Sequence, residues 1–105
     1  MKGEVAVSTY VVLFGFTQEG IRNIKDSPAR VEAARKSFRA LGAEVKEFYA
    51  VMGMGQYDTM FIVEAPNDET VVKANLAIGS LGNVRTTTHR AFKEDEFRKI
   101  IAALP

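Results

Sequence analysis

The chain has 105 residues, of which 47% are hydrophobic and 26% charged, and its formal net charge is +1. This balance is typical of one globular domain, and so small a charge favours neither nucleic acid nor an anionic membrane as a partner. The chain has no cysteine and one histidine, which excludes disulfides, a thiol nucleophile and a cysteine or multi-histidine metal site within one chain.

Two further absences concern location. No apolar run approaches the ~18 residues that cross a bilayer, and residues 1–6 lack the apolar centre of a signal peptide. The sequence therefore predicts a cytoplasmic protein without membrane attachment. We expect residues 1–7 to be a flexible lead-in and residues 8–105 to form a single domain.

Residues 8–16 are predicted to form a strand that is apolar on both of its sides. Tyr10, Val12 and Phe14 alternate with Val11 and Leu13. A strand with one face in water would instead alternate apolar and polar residues. Both faces of this strand are therefore expected to be covered.

A helix is predicted from Ser27 and Pro28 to about Leu41, because serine caps free amides and proline suits the first turn. Gly42 is expected to end it. Its apolar stripe consists of Val31, Ala34, Phe38 and Leu41.

Residues 52–58, Met-Gly-Met-Gly-Gln-Tyr-Asp, are predicted to reverse the chain between strands at 43–51 and 58–65, since glycine adopts backbone angles that other residues avoid. A second helix begins near Asn67 or Asp68, either of which is a suitable cap, and presents Val71, Ala74, Ile78 and Leu81 inwards. A fourth strand at 84–92 and a helix at 94–104 follow; the apolar face of that helix holds Phe97, Ile100, Ile101 and Leu104.

The element order βαββαβ plus a C-terminal helix predicts a ferredoxin-like α+β fold with a four-stranded antiparallel sheet. Its helices cover one sheet face. We expect the other face to pack against a second copy, giving a homodimer or a higher even oligomer with a barrel-like core. The alternative is that the C-terminal helix folds across that face.

Several short motifs, taken in order, resemble the GYD domain family over roughly residues 8–101. They include Thr-Tyr-Val-Val-Leu at 9–13, Gly-Gln-Tyr-Asp at 55–58 and Gly-Ser-Leu-Gly-Asn-Val-Arg-Thr at 79–86. In the second motif, Gln56 separates the glycine from the tyrosine. The resemblance implies a subunit of the dimeric α/β-barrel kind. It implies no activity, because the family consists of bacterial proteins of unknown function.

Three residues are candidates for chemistry on the strands. Histidine is the side chain used most often as a general base at neutral pH, so His89 is a candidate general base or ligand-orienting group. Its alternative role is a hydrogen bond within the sheet or at the dimer seam. Tyr57 and Asp58 are a candidate ligand-binding pair, but neighbours on a strand point to opposite faces. Asp58 is alternatively expected to accept backbone amides of the glycine-rich turn.

Two other residues are candidates for ligand contacts. Arg22, with Lys25 and Arg30, is placed to gather around an anion at a helix N-terminus, although solvated side chains are the simpler interpretation. Met52, with Met54 and Met60, is a candidate for lining an apolar cavity, or for ordinary packing. No metal site is predicted, and no cofactor is evident.

Three functions remain open. The first is a regulatory or binding module for a small apolar or anionic ligand. The second is a small enzyme that uses His89, either as the base of a cofactor-independent oxygenase or isomerase or as the axial ligand of a haem. The third is RNA binding, which a charge of +1, Glu47 and Glu64 disfavour and which a buried sheet face would prevent.

Overall fold

The computed structural model describes residues 6–105, so the first five residues of the predicted lead-in lie outside the described part. Four strands and four helices follow, with one turn of 3-10 helix, Ile24–Asp26, before the second helix. In chain order they are β1 (Ser8–Phe16), α1 (Gln18–Arg22), α2 (Ser27–Ala40), β2 (Glu44–Met54), β3 (Tyr57–Ala65), α3 (Asp68–Gly79), β4 (Val84–Ala91) and α4 (Glu94–Ala102).

The strands form one antiparallel sheet in the order β2-β3-β1-β4. This confirms the ferredoxin-like α+β fold. The two strands that are apolar on both sides, β1 and β3, are the two central strands, where each is flanked by neighbours on both edges. Continuous apolar runs are typical of strands that are covered on both faces, but α2 and α3 cover only one face of β1 and β3.

The core lies between the sheet and the pair α2 and α3. Phe61 of β3 is its centre, and the rings of Phe14, Phe38 and Phe48 pack edge-on against it with centroids 5.0, 5.9 and 5.9 Å away. Such edge-to-face pairs are favourable because the positive edge of one ring meets the negative face of another. Val12, Val63 and Val71 complete the fully buried part.

The ends of the helices differ in part from the prediction. Asn67 caps α3, its Oδ1 accepting from the Thr70 amide at 2.9 Å. Ser27, however, is the first residue of α2 and not its cap, because the preceding 3-10 turn runs straight into α2 and the Ser27 amide bonds to the Ile24 carbonyl. Leu41 and Leu81 are exposed, contrary to the prediction, because each lies beyond the last residue of its helix.

The second face of the sheet carries an apolar patch that α2 and α3 do not cover. We call this patch the open face and define it by Val11, Leu13, Tyr49, Met60 and Ile62. The strand register places Val11 opposite Ile62, and it places both Leu13 and Tyr49 opposite Met60. Leu13 is buried by its neighbours, Val11, Met60 and Ile62 are partly buried, and Tyr49 is 51% exposed.

The C-terminal helix α4 leaves its own apolar side uncovered. Its apolar residues remain between 44% and 62% exposed: Phe97, Ile100, Ile101 and Leu104. The radius of gyration is 15.3 Å and the longest dimension 50 Å, whereas a compact domain of this size has a radius of gyration of about 13 Å. Within one chain, α4 therefore does not bury its apolar side on the sheet, which was the alternative considered for covering the open face.

Candidate functional site

A cavity of about 120 Å³ lies between α2, the C-terminal end of α3 and the helix side of the sheet. Its walls are mainly apolar. The rings of Phe14, Phe48 and Phe61 line it from the sheet, and Val31 and Ile78 line it from α2 and α3. Apolar linings of this kind bury the surface of an apolar ligand, and a few polar groups fix the orientation of the ligand.

The cavity exists because the face of α2 above the aromatic rings is built from small residues. Ala33, Ala34 and Ser37 line it from the helix, and Thr59 lines it from β3. Protein interiors are otherwise packed at crystal density. Short side chains opposite large, rigid rings leave space that neither side fills.

Arg30 is the one charged residue among those that line the cavity. Its Nη1 donates to the carbonyl oxygen of Asn23 at 2.9 Å, and its Nη2 donates to that of Gly20 at 3.0 Å. A guanidinium has five N–H donors, so these two bonds fix the group and leave three donors. No carboxylate of residues 6–105 forms an ion pair with it.

The carbonyl that holds Arg30 is itself fixed by the loop between α3 and β4. A Cβ on Gly20 would overlap the backbone carbonyl of Asn83. The side chain of Thr17 accepts from the Gly20 amide at 3.1 Å and donates to the Gly82 carbonyl at 2.5 Å, and the Thr17 amide donates to the Asn83 carbonyl at 3.1 Å. The start of α1 and the α3–β4 loop therefore form one rigid support beside the cavity.

The residues predicted at the hairpin lie together, but at the end of the sheet and outside the cavity. Asp58 Oδ2 accepts a 2.9 Å hydrogen bond from the Phe16 amide of β1. The prediction that Asp58 accepts amides of the glycine-rich turn is therefore wrong. The Tyr57 hydroxyl accepts from Gln56 Nε2 at 3.4 Å, and Gln56 Oε1 accepts from Arg85 at 3.1 Å.

The other predicted residues are separated from these and from one another. His89 is exposed on the open face, with Nε2 3.2 Å from Thr87 Oγ1, on the opposite side of the sheet from the cavity. Arg22 is exposed and forms a 3.0 Å ion pair with Glu19. Met52, in the hairpin, is 94% exposed and does not line the cavity beneath α2.

Sequence reasoning grouped Arg30 with Arg22 and Lys25 and did not identify the cavity. A signal was present: Ser27, Arg30, Ala34 and Ser37 recur every three or four residues and thus lie on one side of a helix. An inward helix face made of small residues with one arginine indicates space beside a charge.

In residues 6–105 no group of three or more His, Asp or Glu side chains is placed to hold a metal ion. Among the helices in the same range, none is both long enough and apolar enough to span a bilayer.

Known structures with similar folds include parts of larger proteins. A homoserine dehydrogenase from Thiobacillus denitrificans matches with a TM-score of 0.56 at 14% identity, over 83% of this chain and 18% of the enzyme. An ACT domain protein from Streptococcus pneumoniae matches with a TM-score of 0.50 at 20% identity, over 95% of this chain and 99% of its own. At these identities the likeness establishes the fold alone.

Similarity in sequence is more specific. The glutamine synthetase and cystathionine beta-lyase binding protein of Thermus thermophilus is 34% identical over 84 residues, which cover 79% of this chain and 86% of that protein. The model of the GYD domain matches residues 10–101, in agreement with the motifs in the sequence. The chain belongs to the GYD domain family.

Proposed function

We propose that this protein is an oligomeric binding and regulatory module: two copies pair through their open faces, and the assembly binds a metabolic enzyme. The observation that carries the proposal is the apolar open face, which lies mainly on the central strand pair and which α2, α3 and α4 leave uncovered. Contiguous apolar surface of this kind marks sites of protein–protein contact.

A second copy accounts for two uncovered surfaces at once. In a two-fold dimer each surface meets its counterpart from the other copy. The open faces of two sheets would pack face to face, and the apolar side of each α4 would lie against the other copy. His89 shares the open face, so in this dimer it lies at or near the seam, the structural role considered for it from the sequence.

The enzyme-binding half of the proposal draws on the relative from Thermus thermophilus. That protein is named for binding glutamine synthetase and cystathionine beta-lyase, and the alignment covers most of both chains. We infer that the present protein binds an enzyme of the same kind. In a complex of this type a small non-catalytic subunit changes the activity of its partner through its differential affinity for the partner's states.

The first test is the mass in solution by sedimentation velocity, from tens of micromolar to submicromolar protein. We expect a dimer or a higher even oligomer. Met60→Glu places a charge at the centre of the open face and should shift the mass to the monomer. Val72→Glu is the matched control, since Val72 is an exposed apolar residue on α3, on the other side of the sheet, and should leave the mass unchanged. A monomeric wild-type chain would contradict the dimer.

The second test is binding to purified glutamine synthetase and cystathionine beta-lyase of the source organism, measured by biolayer interferometry together with enzyme activity. Binding of one of them with a change in its activity would support the regulatory role. A dimer that binds neither enzyme would overturn the proposed partner and leave the pairing of the open faces intact.

A further inference from the structure

We propose that the cavity beneath α2 binds a small amphiphilic monocarboxylate, with the apolar body among the aromatic rings and the carboxylate on Arg30. This inference deepens the proposed function by naming the ligand of the module. It rests on that function for its regulatory consequence alone, because the site lies within one chain and away from the open face.

The size and lining of the cavity define the body of the ligand. An apolar protein cavity of about 150 Å³ holds a benzene ring, and the cavity here measures about 120 Å³. Its rings, Phe14, Phe48 and Phe61, offer edges and faces to a flat or short-chain hydrocarbon. The cavity is the smaller of the two, so about six carbons is the upper limit for the body of the ligand.

The charge of Arg30 defines the polar end of the ligand. A guanidinium presents paired N–H donors that match the two oxygens of a carboxylate. Arg30 is held by two backbone carbonyls and has no acidic partner in residues 6–105. Because the group is already fixed, binding loses little side-chain entropy.

Neighbouring charges favour one negative charge over several. Arg35, in the adjoining groove, is paired with Glu32 at 3.8 Å. Arg30 is therefore the one unpaired cation among the residues lining the cavity and this groove, and a phosphate or dicarboxylate would leave charge unmatched in apolar surroundings. A cation would meet the positive end of the site directly.

The test uses benzoate and hexanoate as probes and benzyl alcohol as an uncharged analogue, titrated into the full-length protein and followed by heteronuclear NMR. We expect dissociation constants of roughly 0.1–1 mM for the two carboxylates, with shifts confined to residues around the cavity. Benzyl alcohol should bind roughly tenfold more weakly, because it lacks the charge that Arg30 pairs with.

Two variants separate the body of the site from its charge. Ala34→Leu fills the cavity and should weaken both carboxylates roughly tenfold or more; Ala29→Leu, at an exposed position of α2 that does not line the cavity, should leave binding unchanged. Arg30→Gln should weaken the carboxylates to the level of benzyl alcohol and leave benzyl alcohol unaffected.

The outcomes are distinct from those of the oligomer and enzyme tests. Saturable binding that Ala34→Leu abolishes and Ala29→Leu preserves would support the site even if the protein were monomeric. Absence of binding at about 10 mM probe, or binding that Ala34→Leu leaves intact, would overturn the site even if the dimer and its enzyme partner were established. Equal affinity for benzoate and benzyl alcohol would overturn the role of Arg30.

Discussion

Asp58 Oδ2 accepts a 2.9 Å hydrogen bond from the backbone amide of Phe16, at the end of β1. Regular pairing between β1 and β3 ends at Phe14 opposite Thr59, so the amide of Phe16 lies just beyond the ladder. The Asp58 carboxylate accepts the hydrogen bond that a backbone carbonyl would accept if the ladder continued. The final residue of the Gly-Gln-Tyr-Asp motif thus extends the pairing of the two central strands by one bond.

Replacing Asp58 tests this role. Asp58→Ala leaves the amide of Phe16 without its acceptor and should lower the free energy of unfolding by roughly 1–3 kcal/mol. Asp58→Asn keeps an acceptor oxygen and should lower it less. Urea denaturation measures both. Asp26→Ala, which removes an exposed carboxylate that makes no capping hydrogen bond, serves as the control and should change stability little; a similar loss in all three variants would contradict the assignment.

Close approach of the hairpin to β1 requires Gly15. A Cβ at this position would overlap the backbone carbonyl oxygen of Gln56. A backbone atom cannot move aside as the end of a flexible side chain could. Gly15→Ala should therefore lower the unfolding free energy by roughly 1–3 kcal/mol. Gly79→Ala is the matched control: nothing lies within 4 Å of a Cβ there, and the residue is helical, so a gain of about 0.4–1 kcal/mol is expected. Denaturant midpoints that move in the same direction would refute the steric explanation.

Much of the fold was accessible from local pattern. The strands, their order along the chain and the α+β class follow from residue type and periodicity, and Asn67 and Gly42 mark helix ends by residue type. The bond from Asp58 to Phe16 was not accessible, because it joins residues 42 apart in sequence, and its geometry depends on where the ladder between two strands stops.

The cavity was accessible only in part, through the small residues of α2. The periodicity of α2 predicts which side faces the sheet, but the space left under Ala34 depends on the rings that strands from other parts of the chain place opposite it. The apolar side of α4 was evident from its spacing. That spacing does not specify what, if anything, packs against this side.

Tyr10 makes the stability of the core depend on pH, through its burial and its hydrogen bond to Asp68. Its hydroxyl donates a 2.5 Å hydrogen bond to Asp68 Oδ1, and burial, followed by this bond, raises the pKa of Tyr10 above its ordinary value. A raised pKa favours the neutral phenol in the folded state. The resulting stability is fully present below about pH 10 and is lost as the pH rises through the raised pKa of the folded protein.

Tyr10→Phe keeps the ring in the core and removes this dependence. At pH 7 we expect the variant to be about 0.5–1.5 kcal/mol less stable to unfolding than the wild type. Between pH 9 and pH 11, however, its free energy of unfolding should fall less than that of the wild type. Thermal unfolding across that range measures it. Tyr57→Phe, at a hairpin tyrosine whose hydroxyl makes an exposed hydrogen bond with Gln56, is the control. An alkaline decline as steep in Tyr10→Phe as in the wild type would show that another group is responsible.

The link between β4 and α4 is tied to the sheet by an ion pair. Lys93, just before α4, reaches across β1 to Glu64 on β3, with Nζ and Oε2 2.7 Å apart. This hydrogen bond lowers the pKa of Glu64 below 4.5 and raises that of Lys93 above 10.5. The pair connects the residue that precedes α4 to the central strand β3.

Lys93→Met should raise the titration midpoint of the Glu64 carboxyl towards its ordinary value, as followed by carbon-detected NMR. Because the folded pKa of Glu64 is lowered, its contribution is present above about pH 4.5 and is lost as the pH falls through the folded pKa. The raised pKa of Lys93 removes the contribution again above about pH 10.5. The difference in unfolding free energy between wild type and variant should therefore be largest at pH 5–9 and shrink at both extremes. Lys99→Met, on α4 itself, should leave the Glu64 midpoint unchanged, and an unchanged midpoint in Lys93→Met would mean that the pair does not persist in solution.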